Sequence, residues 1–409
     1  LNGNEIEKVI KSDNQKKKSL RAKTGCILMD ILVGGGSGEG YPFGRIINIV
    51  GDKSSGKTFL ALEIIAACYH RYGNRLKWVY DDCESGFSFD TKYLYGFEIM
   101  PPDEEDRFRS RRVEDLYNHY REFKDSLEKK EYGIYVVDSL DGLTSREQEK
   151  IGTNRFSKYE EGKDFDQGSY KMGKAKFLSQ DFFPEAAEWT EEKNILLVII
   201  SQTRDKIDSL FKQQTRSGGK AMDFYAHTVL WLSHVRDIET KGRPIGAIVK
   251  AFNKKSKTPR PRRSIFFSFL FDLGLDDIGT CVDFLFELWT EKGDISKGKA
   301  SQIIWEENNP KTLNNLKVWM EEKGILEEYR GESNRRLKLK EIDEFISSKA
   351  NLKAEFDSSF GEPKTREELI SWIEKDSARI KELHSRVREK WESIEDSIKP
   401  DRKKKYGTN

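Results

Sequence analysis

At 409 residues, with 36% hydrophobic and 35% charged side chains, the chain is long enough for two or three domains around one large core. A net charge of +2 excludes a polycation, so any nucleic-acid binding rests on local basic patches. The start shows no signal-peptide pattern and the chain has no run of about 18 apolar residues, which speaks against secretion and membrane insertion.

The first two dozen residues are polar and lysine-rich (KSDNQKKKSLRAK) and read as an arm. TGCILMDILVGGGSGEGYPFGRIINIV opens the folded part with a short helical apolar pattern, a glycine-rich turn and a β-branched run. FLALEIIAACYHRYG has helical periodicity, and LKWVYDDCES reads as a second strand ending in acids. Residues 113–130 form a charged amphipathic pattern, and YGIYVVDSL is a third apolar strand. A polar, glycine-containing segment over 144–174 precedes the helix-like AKFLSQDFFPEAAEWTEEKN and a fourth buried strand, ILLVIISQ. A second polar loop, RDKIDSLFKQQTRSGGK, leads into the apolar runs TVLWLSHV and IGAIVKAF.

Strands alternating with helices predict an α/β core with a largely parallel sheet, extended by antiparallel strands. Beyond about Gly279 the texture changes to charged helical segments. Near the end, Ile373, Ile380, Leu383, Val387, Trp391, Ile394 and Ile398 recur at helical spacing and predict one long amphipathic helix. Its stripe either packs on its own domain or pairs as a coiled coil. The four cysteines, Cys26, Cys68, Cys83 and Cys281, are scattered without metal-ligand spacing and read as reduced cysteines in a cytosolic protein.

Chemistry concentrates at GDKSSGKT, Gly51 to Thr58, which fits the phosphate-loop pattern G-x-x-x-x-G-K-[ST]. Gly51 and Gly56 let the backbone curl, so that successive N–H groups along Asp52, Lys53, Ser54, Ser55, Gly56, Lys57, Thr58 and Phe59 face phosphate oxygens. The following helix presents its positive N-terminus to the same anion. Lys57 reaches the β and γ phosphates of ATP, and Thr58 ligates Mg²⁺. Asp138, after four apolar residues in IYVVDSL, sits at a strand's C-terminal edge, where it completes the Mg²⁺ shell. Strand alternation puts Asp82 and Glu84 on one side and Asp81 on the other. Glu84, nearest the C-terminal edge, is the candidate base for the attacking water, with Asp82 as its supporting neighbour.

The order of these segments resembles the RecA family of homologous-recombination ATPases over roughly Thr24 to Gly324. TGCILMDILVGGG and GYPFGRIINIVGDKSSGKT are similar to that family's TG-x-x-x-x-D stretch, glycine-rich turn and GRI strand before a phosphate loop. VYDDCES resembles the strand carrying the family's catalytic glutamate, which supports Glu84. VVDSL matches its second nucleotide motif, which supports Asp138 and places Ser139 beside it. IISQTRDKIDSLF and SGGKAMDFYAHTVLWL resemble a strand ending in a γ-phosphate-sensing glutamine, a DNA loop and a GG-x-A-x-x-FYA helix. KGDISKGKASQIIWEENNP resembles the bacterial C-terminal domain, while SLDGLTSREQEK and FNKKSKTPRPRRSIFFSFLFDLGLD lean towards phage-encoded members of the UvsX type.

The resemblance implies roles for further residues. Gln202 would convert bound ATP into an ordered DNA-binding segment. That second loop offers Arg204, Lys206, Ile207, Phe211, Arg216, Gly218, Gly219 and Lys220. A first DNA loop, QGSYKMGKAK, offers Tyr170, Lys171, Met172, Gly173, Lys174 and Lys176. Basic groups there would neutralise phosphates while apolar ones wedge between bases. Lysines in KAFNKKSKTPRPRR would cross to a neighbouring subunit's ATP. Lys255 aligns best, with Lys250, Lys254 and Lys257 as competitors; on its residues alone this run is equally a nucleic-acid patch or a solvated hairpin. Asp90 and Tyr93 match the family's adenine contact in spacing, although two extra residues separate them from Glu84.

The implied fold is a P-loop NTPase of RecA-like α/β type with a mostly parallel central sheet. An N-terminal arm covers 1–23 and the ATPase core with its DNA loops covers 24–278. A smaller C-terminal domain, α/β or helical, covers 279–350, and a charged helical tail covers 351–409. The implied activity is DNA-dependent ATP hydrolysis with ATP and Mg²⁺ as cofactors. A helical homo-oligomeric filament on single-stranded DNA, with ATP at the subunit interface, would search homologous duplex and exchange strands. A single-strand-binding protein and a loader are implied partners, with no membrane and a cytoplasmic location in a bacterial cell. Alternatives are a RecA-like mediator or paralogue without strand exchange, and a hexameric DNA helicase on the same core. The basic end DRKKKYGTN departs from the acidic tail of bacterial relatives, and the start is short for the family's N-terminal helix and strand.

Overall fold

The computed structural model describes residues 20–35, 40–100, 108–151, 172–205, 214–216, 218–290, 295–296, 299, 305, 313–331, 334–349, 351–352 and 365–402. Contacts divide the chain into two units, Leu1–Cys281 with His384–Asn409, and Val282–Leu383.

The first unit begins with β1 (Arg21–Ala22), α1 (Ile27–Gly34) and β2 (Tyr41–Pro42), the two short strands pairing antiparallel. The aspartate of TG-x-x-x-x-D has a structural role here. Asp30 Oδ1 accepts from Thr24 N at 2.9 Å and Thr24 Oγ1 at 3.0 Å, closing the approach to α1. Burial pushes this carboxyl up to about 6, opposed by the Lys23 ammonium.

Next come β3 (Arg45–Gly51), α2 (Lys57–Tyr72), β4 (Leu76–Asp82), α3 (Thr91–Tyr95), α4 (Val113–Ser126) and β5 (Tyr132–Asp138). They are followed by α5 (Met172–Phe177), a π-helical turn over Leu178–Phe182, α6 (Phe183–Lys193), β6 (Ile195–Asp205), β7 (Gln214–Arg216) and α7 (Gly219–Tyr225). The expected helix after the first polar segment is thus one path interrupted by a π turn. Finally, β8 (Thr228–Thr240), β9 (Arg243–Ser256), β10 (Ser264–Leu270), β11 (Gly274–Leu275) and α8 (Asp277–Leu285) complete the main body.

One sheet runs in the order β11-β10-β9-β8-β3-β6-β5-β4, with β7 pairing on β6. Pairs among β3, β4, β5, β6 and β8 are parallel, whereas β8, β9 and β10 pair antiparallel. This is the mixed α/β sheet expected. Strand β3 is central and buried on both faces, which suits its unbroken apolar run. Parallel register brings the strand ends level: Gly51 pairs with Gln202 and Asp82 with Asp138. Four chemically distinct side chains or loops therefore leave the sheet along one edge.

On one face, Val113, Leu116, Tyr120 and Phe123 of α4 and Phe183 and Ala186 of α6 cover Tyr135, Val137, Leu197 and Ile199. The α4 positions recur at three- and four-residue steps, so one stripe is buried and the charged face stays out. Each large side chain buried this way contributes about 1.5–3 kcal/mol.

In the second unit, α9 (Leu313–Glu322), α10 (Leu326–Arg330) and α11 (Leu339–Ser347) pack through Leu316, Trp319, Met320, Leu326, Tyr329 and Ile342. The single long helix expected after residue 365 is instead two, α12 (Arg366–Glu374) and α13 (Ser377–Ser397). Asp376 is the reason: its Oδ1 accepts Ala378 N at 2.8 Å and starts a new helix. Ile373, Leu383, Val387 and Trp391 are buried, so most of the stripe is covered within the chain, while Ile394 and Ile398 are exposed. At its C-terminal end Arg263 Nε and Nη2 clamp Glu395 at 2.6 and 2.9 Å.

Candidate active site

The phosphate loop leaves the C-terminal end of the central strand β3 and enters α2 directly. Gly51 is packed so tightly that a Cβ there would stand 2.4 Å from Ser55 Oγ and 2.6 Å from the Leu232 carbonyl. Gly56 has φ +79 and faces the Phe269 ring, where a Cβ would be 2.8 Å away. Both conditions demand glycine. Ser55 Oγ and Lys57 Nζ donate to the Asp52 carbonyl at 2.8 and 2.6 Å, which holds the curl closed.

Thr58 Oγ1, in the first turn of α2, donates to Asp138 Oδ2 at 2.7 Å. The same oxygen accepts Tyr80 OH from β4 at 2.5 Å. Thr58 and Asp138, taken from different motifs in the sequence, are thus in direct contact, and the peptide after Asp138 is cis. Glu84 lies just past β4, where its Oε1 accepts Ser139 Oγ and, at 2.8 Å, Gln202 Nε2. The backbone N–H of Gln202 donates to Asp141 Oδ2 at 2.8 Å. The metal-binding candidates thus form one hydrogen-bonded cluster and the catalytic and sensing candidates another, joined through the Asp138–Ser139 peptide.

The electrostatics fit an anion with a dication. Burial pushes Asp138 up from the ordinary carboxylate range, and Glu84 and Asp82 push the same way. Burial pushes Lys57 down, opposed by Asp138, Glu84, Asp52 and Asp141. One ammonium among four carboxylates leaves a surplus of negative charge that Mg²⁺ would balance. Thr58 and Asp138 could hold it, and loop N–H groups with the α2 N-terminus suit the phosphates.

Asp82 and Asp81 diverge as strand alternation requires. Asp82 Oδ2 accepts Phe87 N at 2.9 Å and shapes the turn bearing Glu84. Asp81 is buried on the other side, accepting Ser110 N and Ser110 Oγ at 2.7 and 2.5 Å and Tyr135 OH at 2.9 Å. Asp90 caps α3, its Oδ1 accepting Tyr93 N at 2.8 Å, and Tyr93 is 68% exposed.

The family model of the RecA N-terminal domain matches residues 4–99 and 159–276, just over half of the chain. The chain belongs to the RecA family. Among solved structures, the crystal structure of the RadB recombinase is similar at 17% identity. That match covers 63% of this chain and 99% of that one, with a TM-score of 0.42.

The DNA-loop candidates of this RecA-family chain fall into three groups. Tyr170, Lys171, Lys206, Ile207 and Phe211 lie outside the described residues, as do the side chains of Met172 and Arg204. Lys176 and Lys220 are exposed, and Gly218 and Gly219 open α7 with φ +90 and +54. Two are engaged internally. Lys174 Nζ donates to the Leu140 and Leu143 carbonyls at 2.6 and 2.7 Å, bracing the turn after Asp138. Arg216 has a side chain only 6% exposed and pairs with Asp223, unlike an open phosphate contact.

Lys255 also has an internal task. Its ammonium binds the carbonyls of Asp223, Phe224 and Ala226, the last at 2.8 Å, and so caps the C-terminus of α7. Lys254 stands 4.0 Å over the Trp231 ring and Lys250 5.7 Å over Phe266. Tyr80 and Asp141 were missed by sequence reasoning, although Tyr80 shares a strand face with Asp82 and so carried a signal. Phe59, named with the phosphate loop, also walls an aromatic cavity of about 390 Å³ whose other rings, Phe89, His234, Phe269 and Phe271, were missed. Those four come from the segment before α3, from β8 and β10 and from the turn after β10, and carry no motif.

Proposed function

We propose that this RecA-family chain is a DNA-dependent ATPase that polymerises on single-stranded DNA and exchanges it with homologous duplex. The observation that supports this most is the Glu84–Gln202 contact of 2.8 Å near the C-terminal end of β6, the strand leading into the second DNA-loop candidate. It ties the water-activating group to the segment that would grip DNA.

In this reading Lys57 leaves the Asp52 carbonyl and neutralises the β and γ phosphates of ATP, while Thr58 and Asp138 hold magnesium. Bound magnesium supplies charge neutralisation at the phosphates. Glu84 takes the proton of the attacking water once Ser139 and Gln202 release its Oε1. Gln202, a neutral amide, exchanges that carboxylate for a γ-phosphate oxygen and shifts the strand end that carries the loop. Phe89, Phe269 and Phe271 offer ring faces suited to a base. A lysine from a neighbour, Lys255 or one of Lys250, Lys254 and Lys257, completes the site in the assembled filament. Among the described residues, no helix is long and apolar enough to cross a membrane.

Electron micrographs with single-stranded DNA and a slowly hydrolysed ATP analogue test the reading. A helical filament, together with strand exchange between a labelled oligonucleotide and homologous duplex, is the expected result. A closed ring on the strand would contradict it in favour of a helicase. DNA binding without strand exchange would contradict it in favour of a mediator.

A further inference from the structure

A second cluster of chemistry lies away from the phosphate site. Cys26 precedes α1, while Asp277 and Cys281 stand one helical turn apart on one face of α8. In sequence their separation hides any relation. In the fold, the two Sγ atoms and an Asp277 oxygen all lie within 4.8 Å of one another. The structure assigns these three side chains as a binding site for a thiophilic divalent cation, zinc in the first instance.

One of the three spacings already suits a zinc site, and the others lie within 4.8 Å. Zinc bound tetrahedrally at about 2.3 Å to sulfur and 2.0–2.2 Å to oxygen sets its ligand atoms roughly 3.3–3.8 Å apart. Cys281 Sγ already stands 3.5 Å from Asp277 Oδ1. Both thiols are buried, Cys26 at 1% and Cys281 at 0% exposure, so water would not compete freely for the position. Two sulfur donors select against Mg²⁺ and Ca²⁺, which take oxygen.

The carboxylate is also oriented as ligands usually are. Its Oδ1 accepts Ile27 N at 2.8 Å, and His384 Nε2 lies 2.7 Å from its Oδ2. A histidine on the outer oxygen fixes the rotation of Asp277 and leaves Oδ1 turned towards Cys281, so His384 is a positioning residue. A cation here would fasten α1 to α8, whose capping contact already spans 250 residues of sequence. None of these groups takes part in the phosphate site, so the inference stands apart from the proposed activity.

The test is a titration of the full chain, stripped with a chelator under reducing conditions, with Co²⁺ and then Zn²⁺. One Co²⁺ per chain, with a thiolate charge-transfer band that Zn²⁺ displaces, is expected. Cys26→Ser and Cys281→Ser should each abolish or reduce the band, and Cys68→Ser should leave it unchanged. His384→Gln should weaken affinity by roughly tenfold or more while keeping the band's shape. A folded wild-type chain that gives no band overturns the assignment, whatever the variants do. So does a band that survives Cys26→Ser and Cys281→Ser together.

Discussion

Replacing Tyr80 by Phe tests the acidic end of the active site through the loss of a single oxygen atom. Tyr80 OH donates at 2.5 Å to the Asp138 oxygen that also accepts Thr58 at 2.7 Å. Burial, with Glu84 and Asp82, raises Asp138, and the bonds from Tyr80 and Thr58 hold it down; Lys57 faces it from α2. A hydrogen bond to a charged group contributes about 1.5–3 kcal/mol. At about 1.4 kcal/mol per pH unit, its loss moves the acid limb of activity up by roughly one to two units. The sign follows from the chemistry. If Asp138 holds magnesium as proposed, the ion needs the carboxylate, so activity falls as pH drops through the folded value, and the variant loses it at the higher pH. The assay is kcat/KM for hydrolysis of magnesium ATP across the acid range, which reports groups of the free enzyme. The ring keeps its packing on Phe87, with centroids 5.0 Å apart, so the fold should survive. An acid limb that does not move, in a folded variant, refutes the assignment of Asp138 as a magnesium carboxylate held down by Tyr80.

Other expectations concern stability and coupling. Glu63 is buried on α2 and raised from 4.5 to about 7 by burial, so its contribution to stability is complete below about 4.5 and is lost as pH rises through about 7. Glu63→Gln should therefore raise the unfolding free energy measured in urea above neutral pH, by up to roughly 3 kcal/mol, and not near pH 4, whereas equal shifts at both would contradict this. Lys255→Met removes the α7 cap, so it should cost about 1–2 kcal/mol in the isolated subunit as well as depressing DNA-stimulated hydrolysis. Unchanged thermal stability would count against the cap. In the second unit, Arg366 grips the fully buried Asp283 through Nε and Nη2 at 2.5 and 2.9 Å. Asp283→Ala should destabilise that unit by about 3–5 kcal/mol, read by limited proteolysis, and wild-type resistance would oppose it.

The sheet and phosphate loop were legible because both depend on local pattern. An apolar run on β3, glycines where a Cβ cannot fit and a helix behind them can be read without knowing the rest of the chain. The Thr58–Asp138 contact was legible only in part. Asp138 ends β5 and Thr58 opens the helix after β3, and only the sheet, with β6 between those strands, brings the two ends level. Tyr80 follows the same alternation as Asp82, yet a tyrosine in a strand is ordinary and nothing local gives it a partner. Lys255 shows the opposite limit: the sequence supplies four competing lysines, and only the fold shows that this one also holds the end of α7 within its own subunit. The break at Asp376 was hidden because an apolar stripe continues in phase across it, while a single capping carboxylate decides the boundary. Cys26 and Cys281 lay beyond any spacing rule, since their proximity follows from how α1 meets α8.

The most direct test compares ATP hydrolysis by the wild-type chain and by Glu84→Gln, each with and without single-stranded DNA. The wild type should hydrolyse ATP with Mg²⁺ and accelerate when DNA is added. Glu84→Gln should still bind ATP and DNA while turnover falls by about 10²–10⁴-fold. Hydrolysis in Glu84→Gln that matches the wild type, DNA-stimulated or not, would contradict the central claim that the network around Glu84 and Gln202 couples ATP to DNA.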